Sequence, residues 1–385
     1  MITHNQSTQQ SAYTDPEALA GVLAHVADLA PETDDEGNFP EEAFQLLADA
    51  GLLAITLPGQ PLDNAQNHTA QLLTLLKRIG AANLAVGRVY EGHINALLLA
   101  QLFGTADQQK QWQDDVRQNH LFSVWNTQAD DGIRIHELGG GRYELEGYKT
   151  FCSGANWVSR PLITGELMRQ GQKAGWQMCI IPTERVDVID ADKRFWKPLG
   201  MRASASFKLN FTGIVIDEND LLGKPGNYFQ QPYFSGGAIR FAAVQLGGAE
   251  SLLEATRLML RSMGRADDVF QQTRLAEMAY RLESGNLWLS QAGHNNDTWL
   301  RDGTDPAKIV AYANMTRTAI EEICLRVMHL CEKAVGARGL LRPLPFERIH
   351  RDLTMYLRQP APDATLVDIG RWVGHQTTAT HDLWT

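Results

Sequence analysis

The chain has 385 residues, 44% hydrophobic and 21% charged, which is long enough for a large core and two or three domains. A formal net charge of −10 argues against a nucleic-acid phosphate backbone or an anionic membrane as partner. No apolar run approaches the roughly 18 to 20 residues of a spanning helix.

The polar stretch Met1 to Ala12 reads as a flexible tail, without the basic start and apolar run of a signal peptide. Cys152, Cys179, Cys324 and Cys331 lack C-x-x-C spacing and read as reduced thiols of a cytoplasmic protein. Helical faces follow over Asp15–Ala30, from Phe39-Pro40 to Gly51, and over Thr69–Ala85. His93–Phe103 is apolar nearly all round, so a buried fourth helix is expected to start there. A short polar helix covers Asp107–Asp115.

From Leu121 to Leu222 the period changes to that of strands. Candidates are Phe122–Trp125, Arg142–Leu145, Tyr148–Ser153, Leu162–Leu167, Trp176–Ile181, Val186–Ile189 and Phe207–Ile216. Their number and spacing predict a small antiparallel barrel or sandwich. Helical periods return over Ala238–Met263, Gln271–Asn296, Pro306–Val335, Phe346–Arg358 and about Pro362–Val373, a bundle pattern. The expected fold class is α+β multidomain. Its parts are a tail at 1–14, an N-terminal helical domain at 15–120, a middle antiparallel β-barrel at 121–226 and a C-terminal four-helix bundle at 227–385.

Simple catalytic motifs are missing. A carboxylate di-iron site needs two Glu-x-x-His pairs, and only Glu347–His350 has that spacing. The cysteines are too scattered for zinc, so no metal is expected. Gly139-Gly140-Gly141 precedes a strand, not a helix, and reads as a turn. Ser204 and Ser206 lack the Gly-x-Ser-x-Gly context of an acyl hydrolase.

Six stretches in order carry more information. They are Asp34–Pro40 with Leu47–Leu53, Glu146–Ala155, Pro198–Ser206, Leu221–Gly226, Arg240–Glu250, and Pro345–Asp352. Together they resemble the acyl-CoA dehydrogenase superfamily of FAD flavoproteins over nearly the whole chain. The resemblance implies FAD between barrel and bundle, and at least a homodimer or homotetramer because the family's FAD site crosses subunits. It places Phe122, Val124, Trp125 and Asn126 on one flavin-facing strand and Phe151, Cys152 and Ser153 on another. Phe151 stands where the family usually has Trp against the ring, and Ser153 where a hydroxyl meets its reactive edge. Without the resemblance, Trp125 and Phe151 read as barrel core. Lys333 and the turn Gly336-Ala337-Arg338-Gly339 match the pyrophosphate contact to a neighbouring subunit, and Arg261 or Arg265 with Gln271 or Gln272 match further FAD contacts.

The family's proton acceptor has no counterpart. Dehydrogenation of an acyl thioester needs a carboxylate to take the α-proton. The two family positions fall here on Pro360 and about Ile239. Asp363 is a substitute candidate, although its place after Pro362 reads more strongly as the opening turn of the last helix. Glu91 and His93 suit a polar or amine-bearing substrate, or are a helix-start residue and a satisfied core histidine. The segment Leu357–Asp363 with Ile369–Arg371 is closer to a monooxygenase branch that uses reduced flavin, although its catalytic His falls near Arg358 here. Three functions are therefore expected in order. An FAD-dependent dehydrogenase of a small molecule, with an electron acceptor, comes first. A two-component monooxygenase served by a flavin reductase comes second, and a non-catalytic or heteromeric member third.

Overall fold

A computed structural model describes residues 11–186, 190–358 and 361–385. All of the expected strand at Val186–Ile189 except Val186 itself, and the position of Pro360, lie outside the described residues, as do the first ten residues of the tail. The helices are α1 (Pro16–Asp28), α2 (Glu41–Asp49), α3 (Thr69–Ala82), α4 (Leu84–Phe103), α5 (Ala106–Arg117), α6 (Ala238–Ser262), α7 (Val269–Arg301), α8 (Pro306–Gly339), α9 (Phe346–Tyr356) and α10 (Pro362–Gly374). The strands are β1 (Phe122–Trp125), β2 (Arg134–Gly139), β3 (Arg142–Glu146), β4 (Tyr148–Cys152), β5 (Arg160–Arg169), β6 (Gln172–Ile180), β7 (Asp190–Asp192), β8 (Phe207–Asn210), β9 (Val215–Asp217) and β10 (Leu221–Leu222). Helical parts thus flank a central β region, the acyl-CoA-dehydrogenase-like fold. Among the described residues no helix is long and apolar enough to cross a membrane. All four cysteines are free and buried.

Local signals account for several helix starts. Asp15 caps α1 through its carboxylate and Pro16 opens it. Thr105 and Gln108 form a reciprocal capping box on α5. Asn83 Oδ1 accepts the amides of Ala85 and Val86, so α4 begins at Leu84, well before the expected His93. Gly92 does not break it: an added Cβ would lie 3.0 Å from Ser123 Oγ, so this glycine permits close packing of α4 on β1. Glu91 and His93 are therefore mid-helix residues, not a helix start. The strand expected over Phe207–Ile216 is two, β8 and β9, separated at Phe211–Ile214.

The sheet is mixed where an antiparallel one was expected. One sheet runs β10-β6-β5-β2-β3-β9, and a second runs β4-β8-β7. Two of the pairings to β5 are parallel, from β1 (Phe122 opposite Arg160) and from β2 (Arg134 opposite Glu166). Strand β2 escaped the sequence reading because Ile135 is its one buried residue, leaving no alternation to detect.

Contacts divide the chain into two compact units, along lines other than the serial three-domain division. The first takes the described residues within 1–65, 88–198 and 202–230; the second takes 66–87, 199–201 and those within 231–385. In the first, Leu97, Trp112, Phe122, Leu162, Ile180 and Leu222 share one core from helices and sheet. In the second, α3 joins the long helices. A Cβ on Gly80 would lie 2.3 Å from Val244 O, and one on Gly247 2.0 Å from Lys77 O, so both glycines are required for α3 to meet α6 this closely. Lys77 Nζ then reaches Glu250 (2.6 Å) and Asn286 (2.7 Å), tying α3 to α6 and α7.

Candidate active site

The best-defined cluster lies in the first unit, where β1 and β4 run out into loops. Gly147 separates β3 from β4 with φ +114°, and a Cβ there would meet Gly132 O at 2.6 Å, so the turn needs glycine. Strand β4 then slips register against β8 between Lys149 and Cys152. Phe151 sits in that irregularity with φ +54°, a conformation that L residues with a Cβ seldom adopt. The bulge turns its ring outward: Phe151 is 46% exposed. Phe195 and Trp196 meet it edge-on at centroid distances of 5.3 and 6.2 Å. A strained backbone that displays a large apolar ring suits a flat aromatic ligand.

Beside it, Trp125 is buried and its Nε1 donates to Ser153 O at 3.0 Å, which joins β1 to the end of β4. Ser153 Oγ is 2.9 Å from Ser206 Oγ, and Ser206 Oγ is 2.8 Å from Ser204 Oγ. Three buried hydroxyls thus form a chain behind Phe151. Ser204 and Ser206 were legible only as serines outside a hydrolase motif; the loop that brings them to Ser153 is a tertiary feature, fixed by Gly154 N donating to Ser204 O.

Asn126 is partly exposed, and its side chain is anchored from behind. Its Oδ1 accepts from Thr164 Oγ1 (2.7 Å) and Trp176 Nε1 (3.3 Å). Lys149 Nζ donates to Asn126 O (2.9 Å), Gln128 Oε1 (2.6 Å) and Thr164 Oγ1 (3.1 Å). Burial holds the Lys149 ammonium well below the ordinary lysine value, at about 7. None of Lys149, Thr164 or Trp176 was singled out in the sequence as a site residue, since a lysine on a strand ordinarily signals a solvated face.

Other expected residues are placed differently. Phe122 and Cys152 have no exposed surface: Phe122 belongs to the core of the first unit, and burial pushes the Cys152 thiol up. Val124 is partly buried against that core. His93 is a core histidine, with Nδ1 accepting from Phe122 N (3.1 Å) and Nε2 donating to Leu53 O (2.9 Å). Burial lowers its pKa to about 4, so it is neutral. Both ring nitrogens are committed to backbone, which leaves no lone pair or proton for catalysis. Glu91 is 1% exposed; it accepts from Arg88 Nη1 at 2.8 Å and from Asn95 Nδ2. Asp363 is an exposed first-turn residue of α10.

In the second unit, Gln271 is buried and its Nε2 donates to Ala334 O at 3.4 Å, so the start of α7 rests on α8. Its Oε1 has no partner. Two residues on, Gly336 breaks the helical conformation of α8 with φ +62° and ψ −173°. Lys333, Gly336 and Ala337 are exposed there, as are Arg261, Arg265 and Gln272 near the facing ends of α6 and α7, whereas Gly339 is buried. Arg265 pairs with Asp268 at 3.3 Å. Nearby, His350 faces the carbonyls of Phe346 and Met328, and Glu347 binds Arg342 and Arg351, so the Glu-x-x-His spacing serves structure. No cluster of metal-ligating side chains exists among the described residues.

The dibenzothiophene monooxygenase of Rhodococcus erythropolis is 24% identical over 94% of both chains. The probable FMNH2-dependent monooxygenase SfnC of Pseudomonas putida is 25% identical over 92% of this chain and 93% of its own. FMN-bound TdsC from Paenibacillus sp. A11-2 superposes with a TM-score of 0.83 at 19% identity, over 95% of this chain and all of that one. The acyl-CoA dehydrogenase N-terminal domain matches residues 17–118 and the C-terminal domain residues 239–357. With more than half of its length covered by these two domains in order, the chain belongs to the acyl-CoA dehydrogenase family.

Proposed function

We propose that the protein is a two-component flavin-dependent monooxygenase, taking reduced FMN from a separate reductase and oxygenating a small organic substrate. The observation that carries this reading is the full-length likeness to dibenzothiophene monooxygenase and to an FMNH2-dependent monooxygenase. It displaces acyl-thioester dehydrogenation, the first expectation from sequence. The chemistry of the chain points the same way: the two positions where dehydrogenases carry their carboxylate are Pro360 and about Ile239, and Ile239 is a buried apolar residue of α6.

Bound reduced flavin supplies the electrons that activate dioxygen, one atom entering the substrate and the other leaving as water. The chain's own residues bind and orient. Phe151 offers its exposed ring as the apolar wall. Ser153, backed by Ser206, supplies a hydroxyl, and Asn126 an amide, to the polar edge of the ligand. Exposed Arg261, Arg265 and Lys333 suit a phosphate, and by the family's pattern Lys333 and the Gly336–Gly339 turn would serve a second subunit, so we read the enzyme as an oligomer.

The test is twofold. Photoreduced FMN, dioxygen labelled with oxygen-18 and a panel of sulfur-bearing and aromatic substrates are mixed with the protein, and label in the product is read by mass spectrometry. The same protein with oxidised FAD is titrated anaerobically with acyl-CoAs. Label incorporation without flavin bleaching supports the proposal, and bleaching without incorporation restores the dehydrogenase.

A further inference from the structure

The buried Lys149 has no role in the reading above, and its surroundings are unusual for a lysine. Its side chain is fully buried on β4, and no carboxylate lies within ion-pair distance among the described residues. Its three hydrogen bonds go to neutral oxygens, and the Trp176 ring lies 5.0 Å from Nζ. A buried cation without a counter-charge costs stability, so its retention calls for a reason.

The hydrogen-bond directions supply one. An ammonium only donates, so Thr164 Oγ1 accepts from Lys149 and must place its own hydrogen elsewhere. That hydrogen goes to Asn126 Oδ1. The indole of Trp176 likewise only donates, and it too points at Asn126 Oδ1. The two donors identify this atom as the amide oxygen and fill its lone pairs. The Lys149 bond to Asn126 O fixes the backbone of the same residue. Asn126 Nδ2 is therefore turned to the other side, where it meets no acceptor among the described residues, on a residue that is partly exposed.

We infer that Lys149 is a positioning residue: acting through Thr164 and directly on the Asn126 backbone, it presents the Asn126 amide hydrogens to an acceptor atom of the bound ligand. This rests on the flavin reading, in which the acceptor is a carbonyl or ring nitrogen on the polar edge of the isoalloxazine. Polarisation by the ammonium, passed along the Thr164 hydroxyl, strengthens the arrangement.

The test is a double-mutant cycle on flavin affinity in the full-length protein, with FMN as probe in its oxidised form and, anaerobically, in its reduced form. K149M and N126A are each expected to raise Kd about tenfold, the worth of one ligand hydrogen bond. K149M combined with N126A is expected to match N126A alone, because Lys149 has nothing left to position. A Kd for K149M within twofold of the parent overturns the inference. So does an effect of K149M that persists undiminished in the N126A background, which marks a general packing role. T164V interrupts the relay while keeping the lysine, and it carries the same expectations if K149M does not fold. Failure of the parent protein to bind FMN or FAD in either redox state is a different result, which overturns the flavin reading and this inference together.

Discussion

Asp352 on α9 accepts the backbone amide of Met201 at 2.5 Å, joining two sequence stretches that each carry little information alone. Met201 has φ +57°. A Cβ on Gly200 would lie 2.0 Å from Arg351 O and 2.5 Å from Asp352 N. The Leu-Gly-Met segment and the Arg-Asp pair are thus two halves of one contact, and the glycine is what lets backbone meet backbone.

Replacing Gly200 with alanine is accordingly expected to cost on the order of 3 kcal/mol or more, since neither side of the clash is a flexible side chain. D352A should be more harmful than D352N, because asparagine keeps an oxygen for the Met201 amide. Thermal unfolding of the three variants checks the order.

His93 predicts an acid limb. Its folded pKa, lowered by burial to about 4, lies below the value of 6.5 for an exposed histidine. Between these values the unfolded chain binds the extra proton, so stability rises with pH there and is lost as pH falls from about 6.5 to about 4. The full loss from this group is about 3 kcal/mol. Urea unfolding across that range should show a shallower pH slope in H93Q than in the parent; parallel slopes would refute it.

Lys149 acts in the opposite half of the scale. With burial holding its pKa at about 7 against 10.5 in the unfolded chain, the unfolded state again binds more protons between the two values. Stability therefore rises from about pH 7 to about 10.5, by something on the order of 5 kcal/mol. K149M removes this dependence, and at pH 7 it is expected to be as stable as the parent or more so, as often when a buried charge gives way to a well-packed apolar chain.

Phe151 separates stability from binding. Phe151→Gly relieves the positive φ but gives up the edge contacts to Phe195 and Trp196, so the melting free energy should stay within about 1 kcal/mol. On the proposed function, FMN affinity falls at least about tenfold with the lost ring. Fluorescence titration and calorimetry on one sample give both readouts. Unchanged affinity would remove Phe151 from the flavin wall.

Periodicity by itself determined the helix-strand-helix order, most element positions and, through six short motifs, the family. These are local or linear properties, written in the spacing of Leu, Val and Phe and in caps such as Asp15 and Thr105. The sequence also offered Glu91 and His93 as chemistry, and it had no means to show that His93 spends both nitrogens on the backbone of Leu53 and Phe122. Residue type says which hydrogen bonds a group can make, and only the fold says which are already made. For the same reason Ser204 and Ser206 read only as serines outside a hydrolase motif and Lys149 as a strand residue: they gain meaning from Ser153 and Asn126, which lie distant in sequence or across a strand. The outward turn of Phe151 was equally hidden, because it comes from a one-residue slip between β4 and β8, and register is a property of two strands together.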